Sequence, residues 1–308
     1  MASNELADIK VAIADAGQQN RREIKQILRQ EGFSAIFDTD DIEVIHNAIG
    51  KDDVDLLIAD HLMPEGDIFE IIRNVRHHAL GKNPFIVIIT IALDPSPEDI
   101  RSIIDAGCDD LILKPITTGM VSKRVNSFIN DRKQFVVTSD YIGPTRRKKH
   151  RPGTVEIPEF EVPNPLKARA SGGMGDAAYW REVELFSELF NEQKMTRNAV
   201  QISYLVDKLL PLYVNGKAAV DVSDPLRRLQ ISGEDIANRM QGTKFDHVGE
   251  LCQSILGVVA NIMATPEVPE PKDLRLLPEL ARAIETAFQI DGEEADIARR
   301  ITESVQDR

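Results

Sequence analysis

Between residues 9 and about 131, short apolar runs alternate with stretches whose apolar positions recur at helical spacing. The runs are IKVAIA (9–14), FSAIF (33–37), VDLLIA (54–59), PFIVIIT (84–90) and DLILK (110–114). Between them lie NRREIKQILRQ (20–30), IFEIIRNVRHH (68–78) and PEDIRSIIDAG (97–107), the last ending on a glycine suited to a helix C-cap. Strands that are apolar throughout are buried on both faces. Five of them in strict alternation with five helices therefore predict an α/β domain, a doubly wound five-stranded parallel sheet covered by helices. In such open sheets ligands sit beyond the carboxyl ends of the strands, where the strand order reverses.

The pattern stops at residue 131. Residues 132–175 contain YIGPTRRKKHRPG and IPEFEVPNPLKARASGGMGD, rich in Pro and Gly with little periodicity, and read as a partly basic linker. The words FVVTSDYIGP (135–144) are β-prone and apolar, a piece of linker suited to docking onto a domain. From 176 to 308 the spacing is helical throughout. Trp180, Val183, Phe186 and Phe190 share a face; Phe245, Val248, Cys252, Ile255, Val259 and Ile262 step by threes and fours; Leu277, Leu280, Ile284 and Ala287 repeat the rhythm. That alternation is the seam of an all-α helical bundle or of a coiled-coil homodimer. TPEVPEPK (265–272) separates the last two long helices. The expected organisation is thus a domain over 1–131, a linker over 132–175 and a helical domain over 176–308.

Charge narrows the partners. The 308 residues carry a net −13, which divides into 13 Lys+Arg against 22 Asp+Glu over 1–130, 7 against 4 over 131–160 and 17 against 24 over 161–308. Both large segments repel nucleic acid and anionic membranes. The run RRKKHR (146–151) reads as a solvated linker cluster, with phosphate or acidic-partner binding the competing reading. Two cysteines, Cys108 and Cys252, stand far apart without histidines at metal-ligand spacing, which fits a reducing cytoplasm rather than a disulfide or zinc framework. MASNELADIK has no charged-then-apolar leader, and the longest apolar run, FIVIITIAL, is less than half of the roughly 20 residues that span a membrane.

The chemistry concentrates on DLLIADHLMPEGD (55–67), a buried strand that ends on Asp60 and turns sharply. Asp15 follows the first strand, and the first and third strands flank the switch point, so both carboxylates reach one crevice. Paired carboxylates invite a hard cation such as Mg2+, and an aspartate beside one can act as a nucleophile toward phosphorus.

Residues 9–131 resemble the receiver domain of bacterial two-component response regulators. The motifs are IADAGQQNRR (13–22), DHLMP (60–64), Thr90 and AGCDDLILKP (106–115), in the family's order and spacing. The resemblance implies a flavodoxin-like fold, a phosphorelay role, and a sensor histidine kinase or phosphotransfer protein as phosphoryl donor. It makes Asp60 the phosphoacceptor, Thr90 the hydroxyl that senses the phosphoryl group and Lys114 its cation, preceding a proline often cis in the family. Asp15, Asp60 and the backbone carbonyl of Leu62 form the Mg2+ shell.

The sequence departs from that pattern in four places. Ala16 stands where the family has a second acidic residue; a one-residue slip would put Asp15 there, and either way one carboxylate is missing, so metal binding is expected to be weakened. Ile91 is expected to crowd the crevice, Leu111 replaces the aromatic switch, and Ile68 replaces a loop glycine. Ile104, Met120, Val121 and Phe128 are candidates for dimer or domain contacts, or for core. His77 and His78 read as an inert surface pair, and FDHVGEL around His247 matches no phosphotransfer pattern. Residues 231–251 have too long a turn and too acidic a composition for a helix-turn-helix, and 176–308 show no nucleophile–base pair. The expected output is a protein-binding helical domain without enzymatic activity; the competing reading is a phosphorylation-independent scaffold.

Overall fold

The computed structural model describes residues 6–146, 157–170, 176–214, 222–240 and 246–289. Two compact units divide the chain, 1–188 and 189–308. Among the described residues no helix is long and apolar enough to cross a membrane.

The first unit is built on strands β1 (Val11–Ala14), β2 (Ile36–Thr39), β3 (Leu56–Asp60), β4 (Val87–Ala92) and β5 (Asp110–Leu113). They form one parallel sheet in the order β2-β1-β3-β4-β5. Alternation along β3 shows why the runs are continuously apolar: Leu56 and Ile58 enter the cluster on one face, Leu57 and Ala59 the cluster on the other. Helices α1 (Gln18–Gln30) and α5 (Thr118–Asn130) cover the first face through Ile24, Leu28, Val121, Val125 and Phe128. Helices α2 (Ile42–Gly50), α3 (Ile68–Arg76) and α4 (Pro97–Asp105) cover the second. Each fully buried Leu or Ile side chain contributes about 1.5–3 kcal/mol. The caps are local: Asp41 accepts from Glu43 N and Asp67 from Phe69 N, while Ser96 and Asp99 close a capping box ahead of Pro97.

The chain order places the switch point between β1 and β3, so the crevice lies beyond Ala14 and Asp60. Val121 and Phe128 are core; Ile104 is the exposed member of that group. Ile91 is the register partner of Asp60 on β4 and is fully buried, with Ile89 and Ile112, on the face covered by α1 and α5.

Beyond α5 the described parts of the expected linker are structured. β6 (Phe135–Val137) pairs with β7 (Ile142–Pro144) and β8 (Glu159–Phe160) in a small antiparallel sheet, followed by α6 (Pro165–Ala170). At the amino-terminal ends of the parallel strands, Arg76 and Arg132 both bind the buried Asp109 carboxylate, and their guanidinium groups stand 5.2 and 4.9 Å from the Phe135 ring centre. Gly107 has φ +92°, and a Cβ there would come within 2.6 Å of the Ile142 carbonyl, so only glycine lets this hairpin close. Arg146 donates to the Cys108 carbonyl; the rest of the basic run, 147–151, lies outside the described residues. Helix α7 (Asp176–Val214) begins in this unit, where Asn83 donates to Tyr179 Oη at 2.8 Å.

The second unit comprises the rest of α7 with α8 (Ser223–Met240), α9 (Asp246–Ala264) and α10 (Pro271–Gln289). The expected seam residues Val248, Cys252, Ile255, Val259 and Ile262 are buried, as are Leu277 and Ile284. Phe245 and the His247 side chain lie outside the described residues. A polar cluster crosses this core, with Asn198 Nδ2 donating to Asp235 Oδ2 at 2.6 Å and Arg239 Nε to Asp235 Oδ1 at 2.8 Å.

Candidate functional site

Asp15 and Asp60 end neighbouring strands in register, one residue past the Ala14–Ala59 pair. Lys114, carried at the end of β5 ahead of a cis Lys114–Pro115 bond, reaches back across the crevice and joins them. Its Nζ donates to Asp15 Oδ2 at 2.7 Å and to Asp60 Oδ2. The structure thus brings together three of the five residues singled out in the sequence, through side chains that are 99 and 54 positions apart. Leu62, the fourth, donates its backbone N–H to Asp60 Oδ1 at 2.8 Å.

Thr90 sits fully buried on β4, beside Ala59 on one strand and Leu111 on the other. Its hydroxyl lies 2.9 Å from Cys108 Sγ. Leu111 is packed against the cluster of the α2–α4 face, so no aromatic ring stands behind Thr90 on β5.

Four contributors were not singled out in the sequence. Gly17 N–H and Asn20 Nδ2 both donate to Asp15, at 2.7 and 3.1 Å. Arg21 is buried against the Asp15 and Ala16 carbonyls, with Asp38 and Asp40 as its counter-ions. Most directly, His61 Nδ1 lies 3.0 Å from Asp60 Oδ1, and its side chain is only 4% exposed. Adjacency to Asp60 was the one signal in the sequence for His61. A strand that continued would have turned it to the opposite face.

The electrostatics follow from this packing. Burial raises the cost of ionising Asp60, but the hydrogen bonds from Lys114 and the Leu62 N–H and the charges of Lys114 and His61 outweigh it, holding the carboxyl below its usual range. Burial likewise works against the Lys114 cation, yet its two carboxylate partners win and raise its pKa. The crevice therefore presents an ionised carboxylate with a cation beside it, the charge state that a nucleophilic aspartate needs.

The oxygens of Asp15 and Asp60, with the carbonyl of Leu62, are hard donors of the type that Mg2+ takes while keeping several waters. Among the described residues no group of three or more His, Cys, Asp or Glu is arranged to hold a metal, so any such ion would rely on two carboxylates. Ala16 contributes no carboxylate.

Residues 11–126 match the model of the response regulator receiver domain. Chemotaxis protein CheY-3 of Vibrio cholerae is 25% identical over 119 residues, covering 39% of this chain and 90% of its relative. A cyclic di-GMP phosphodiesterase of Thermotoga maritima is 22% identical over 139 residues; the match takes in 45% of this chain and 36% of that protein's length. Among solved structures, Vibrio cholerae CheY4 is 23% identical with a TM-score of 0.35, covering 39% of this chain and 98% of that one. The receiver domain of a Pseudomonas aeruginosa sensor histidine kinase, solved with a magnesium ion in its active-site cleft, is 18% identical with a TM-score of 0.35, over 38% and 94%. The parallel sheet in the order β2-β1-β3-β4-β5, the crevice with Asp15, Asp60 and Lys114, and the family match coincide on the same residues: this part of the chain is a response regulator receiver domain.

Proposed function

We propose that this protein is a two-component response regulator that takes a phosphoryl group on Asp60 from a sensor histidine kinase or phosphotransfer protein and signals through its helical domain. The observation that carries the reading is the shared lysine: Lys114 binds both crevice carboxylates and keeps Asp60 ionised in a buried setting. Asp60 attacks the phosphorus, the bond from phosphorus to the donor breaks, and the donor leaves with its electron pair. Asp15, Asp60 and the Leu62 carbonyl would hold Mg2+, which would supply charge neutralisation for the phosphoryl oxygens. Lys114 transfers its contact from the Asp60 carboxylate to a phosphoryl oxygen. Thr90 leaves Cys108 to donate to another.

The helical domain contributes a protein-binding or dimerising surface and no chemistry of its own, and the protein works in the cytoplasm. A second reading has a specific motive. Ala16 and Leu111 together remove a metal ligand and the aromatic switch, which suits a receiver used as a constitutive scaffold.

Mobility on a phosphate-affinity gel after incubation with Mg2+ and acetyl phosphate tests the choice. A shifted, base-labile band that Asp60→Ala abolishes is expected. If neither acetyl phosphate nor a panel of phosphorylated histidine donors shifts the parent protein while a standard receiver shifts, the scaffold reading replaces the first.

A further inference from the structure

The acceptor positions of the crevice are almost all taken by the protein itself. A carboxylate oxygen offers two lone-pair sites. Asp60 Oδ1 accepts from the Leu62 N–H and faces His61 Nδ1, while the hydrogen bond at Oδ2 comes from Lys114. Asp15 Oδ1 accepts from Gly17 N and Asn20 Nδ2, and its Oδ2 from Asn20 Nδ2 and Lys114 Nζ. Leu62 and Gly17 act through the backbone, and Asn20 and Lys114 are tied to Asp15. Among the described residues, His61 alone engages Asp60 through a side chain that does nothing for Asp15.

An ionised carboxylate can only accept, so the proton in the His61 contact sits on Nδ1. Buried as it is, His61 meets little competition from water. A cation arriving at Asp60 Oδ1 has to displace that N–H and leave it without its partner, at a cost comparable to a hydrogen bond to a charged group. With Ala16 supplying no carboxylate, few ligand charges oppose this cost.

We infer that His61 is a positioning residue that competes with the metal ion for Asp60 Oδ1 and sets the affinity of the crevice for Mg2+. The inference rests on the proposed metal site. It assigns to His61 a resting-state role that keeps Asp60 oriented when no ion is bound. Removing the N–H frees a lone pair on Asp60 Oδ1, so binding of the ion tightens.

Isothermal titration of the full-length protein with magnesium chloride at fixed pH, without any phosphoryl donor, reads this directly. His61→Leu and His61→Ala, two variants lacking the donor, are each expected to bind Mg2+ about tenfold more tightly than the parent. His61→Asn, whose amide N–H takes the place of Nδ1–H, is expected to stay within about threefold of the parent. Adding Asp60→Asn is expected to erase the gain. In parallel, the His61 Nδ1 resonance in nitrogen-15 spectra should move as Mg2+ is added, a readout that a purely packing role would leave still. Equal or weaker binding by both donor-less variants overturns the inference, as does a parent and variants that all fail to bind. The gel experiment above is separate: phosphorylation of Asp60 without any effect of His61 on Mg2+ removes this inference alone, and an intact His61 effect without phosphorylation removes the proposed function alone.

Discussion

Asp60 and Asp109 stand at opposite ends of the same parallel sheet, and both are buried beside positive side chains. Asp109 accepts four hydrogen bonds. Its Oδ1 accepts from Arg132 Nε at 2.8 Å, and its Oδ2 from Arg76 at 2.8 Å, from Arg132 at 3.2 Å and from the Ile88 N–H at 2.9 Å. The remaining donors of Arg76 go to the carbonyls of Gly107, Pro84 and Ile86. Asp60 instead has one flexible lysine shared with Asp15, one imidazole and one backbone N–H. Rigid guanidinium forks that bind the carboxylate and neighbouring carbonyls together make a joint; a shared ammonium and an imidazole leave partners that can be exchanged. The first arrangement fastens β6 to the receiver, and the second leaves a carboxylate that chemistry can reach.

The largest test of this contrast is Asp109→Asn, which leaves two buried guanidinium groups without their anion. It is expected to cost about 3–5 kcal/mol in urea unfolding of the full chain. The fluorescence of Trp180, the single tryptophan, serves as probe because it lines a small enclosed cavity with Asp55, Asn83 and Ile86 in the same unit. Asp60→Asn, by contrast, should cost about 1 kcal/mol or less, since its partners can turn to Asp15 and to water. Equal losses would break the distinction.

Acid sharpens it further. Burial works against the ionised form of Asp109, but the charges of Arg132 and Arg76 more than offset it, and both Asp109 and Asp60 lie below the ordinary carboxylate range. A carboxyl depressed on folding contributes stability that is present above its unfolded value, about pH 4, and is lost as pH falls through the folded value. Unit 1 is therefore expected to hold its full stability at neutral pH and to lose it below about pH 4. Asp109→Asn should flatten that dependence more than Asp60→Asn, as read from the slope of unfolding free energy against pH. An effect as small belongs to Cys108→Val, which removes the partner of the Thr90 hydroxyl at nearly constant shape. The hydroxyl is left buried without it, a loss of about 1 kcal/mol by the same urea assay, with Cys108→Ser near the parent.

Much of the receiver was legible because its signals are local. Continuous apolar runs specify strands buried on both faces, and Asp41, Asp67 and Ser96 sit where helices need caps. The order of Asp15, Asp60, Thr90 and Lys114 along the chain follows from that alternation. The segment after residue 131 was read mainly as linker, since short strands among Pro and Gly carry too little periodicity to stand out. Its anchors, Arg76, Asp109 and Arg132, look like ordinary surface charges until folding buries them together. His61 escaped for a related reason, because the direction of a side chain just past a strand end depends on the turn that follows.

What the sequence by itself determined about this protein is the alternation of strands and helices, the switch point beyond β1 and β3, and the presence of Asp15 and Asp60 at that switch point. Each of these depends on neighbours within a few residues or on a repeating spacing. Only the tertiary structure decided that Lys114 spans both carboxylates, that His61 occupies Asp60 Oδ1, that Thr90 rests against Cys108 and that two arginines fasten β6 beneath the sheet. Those contacts join residues distant in the chain or turn on the aim of a single side chain, and their strength comes from removing water once the whole core has closed.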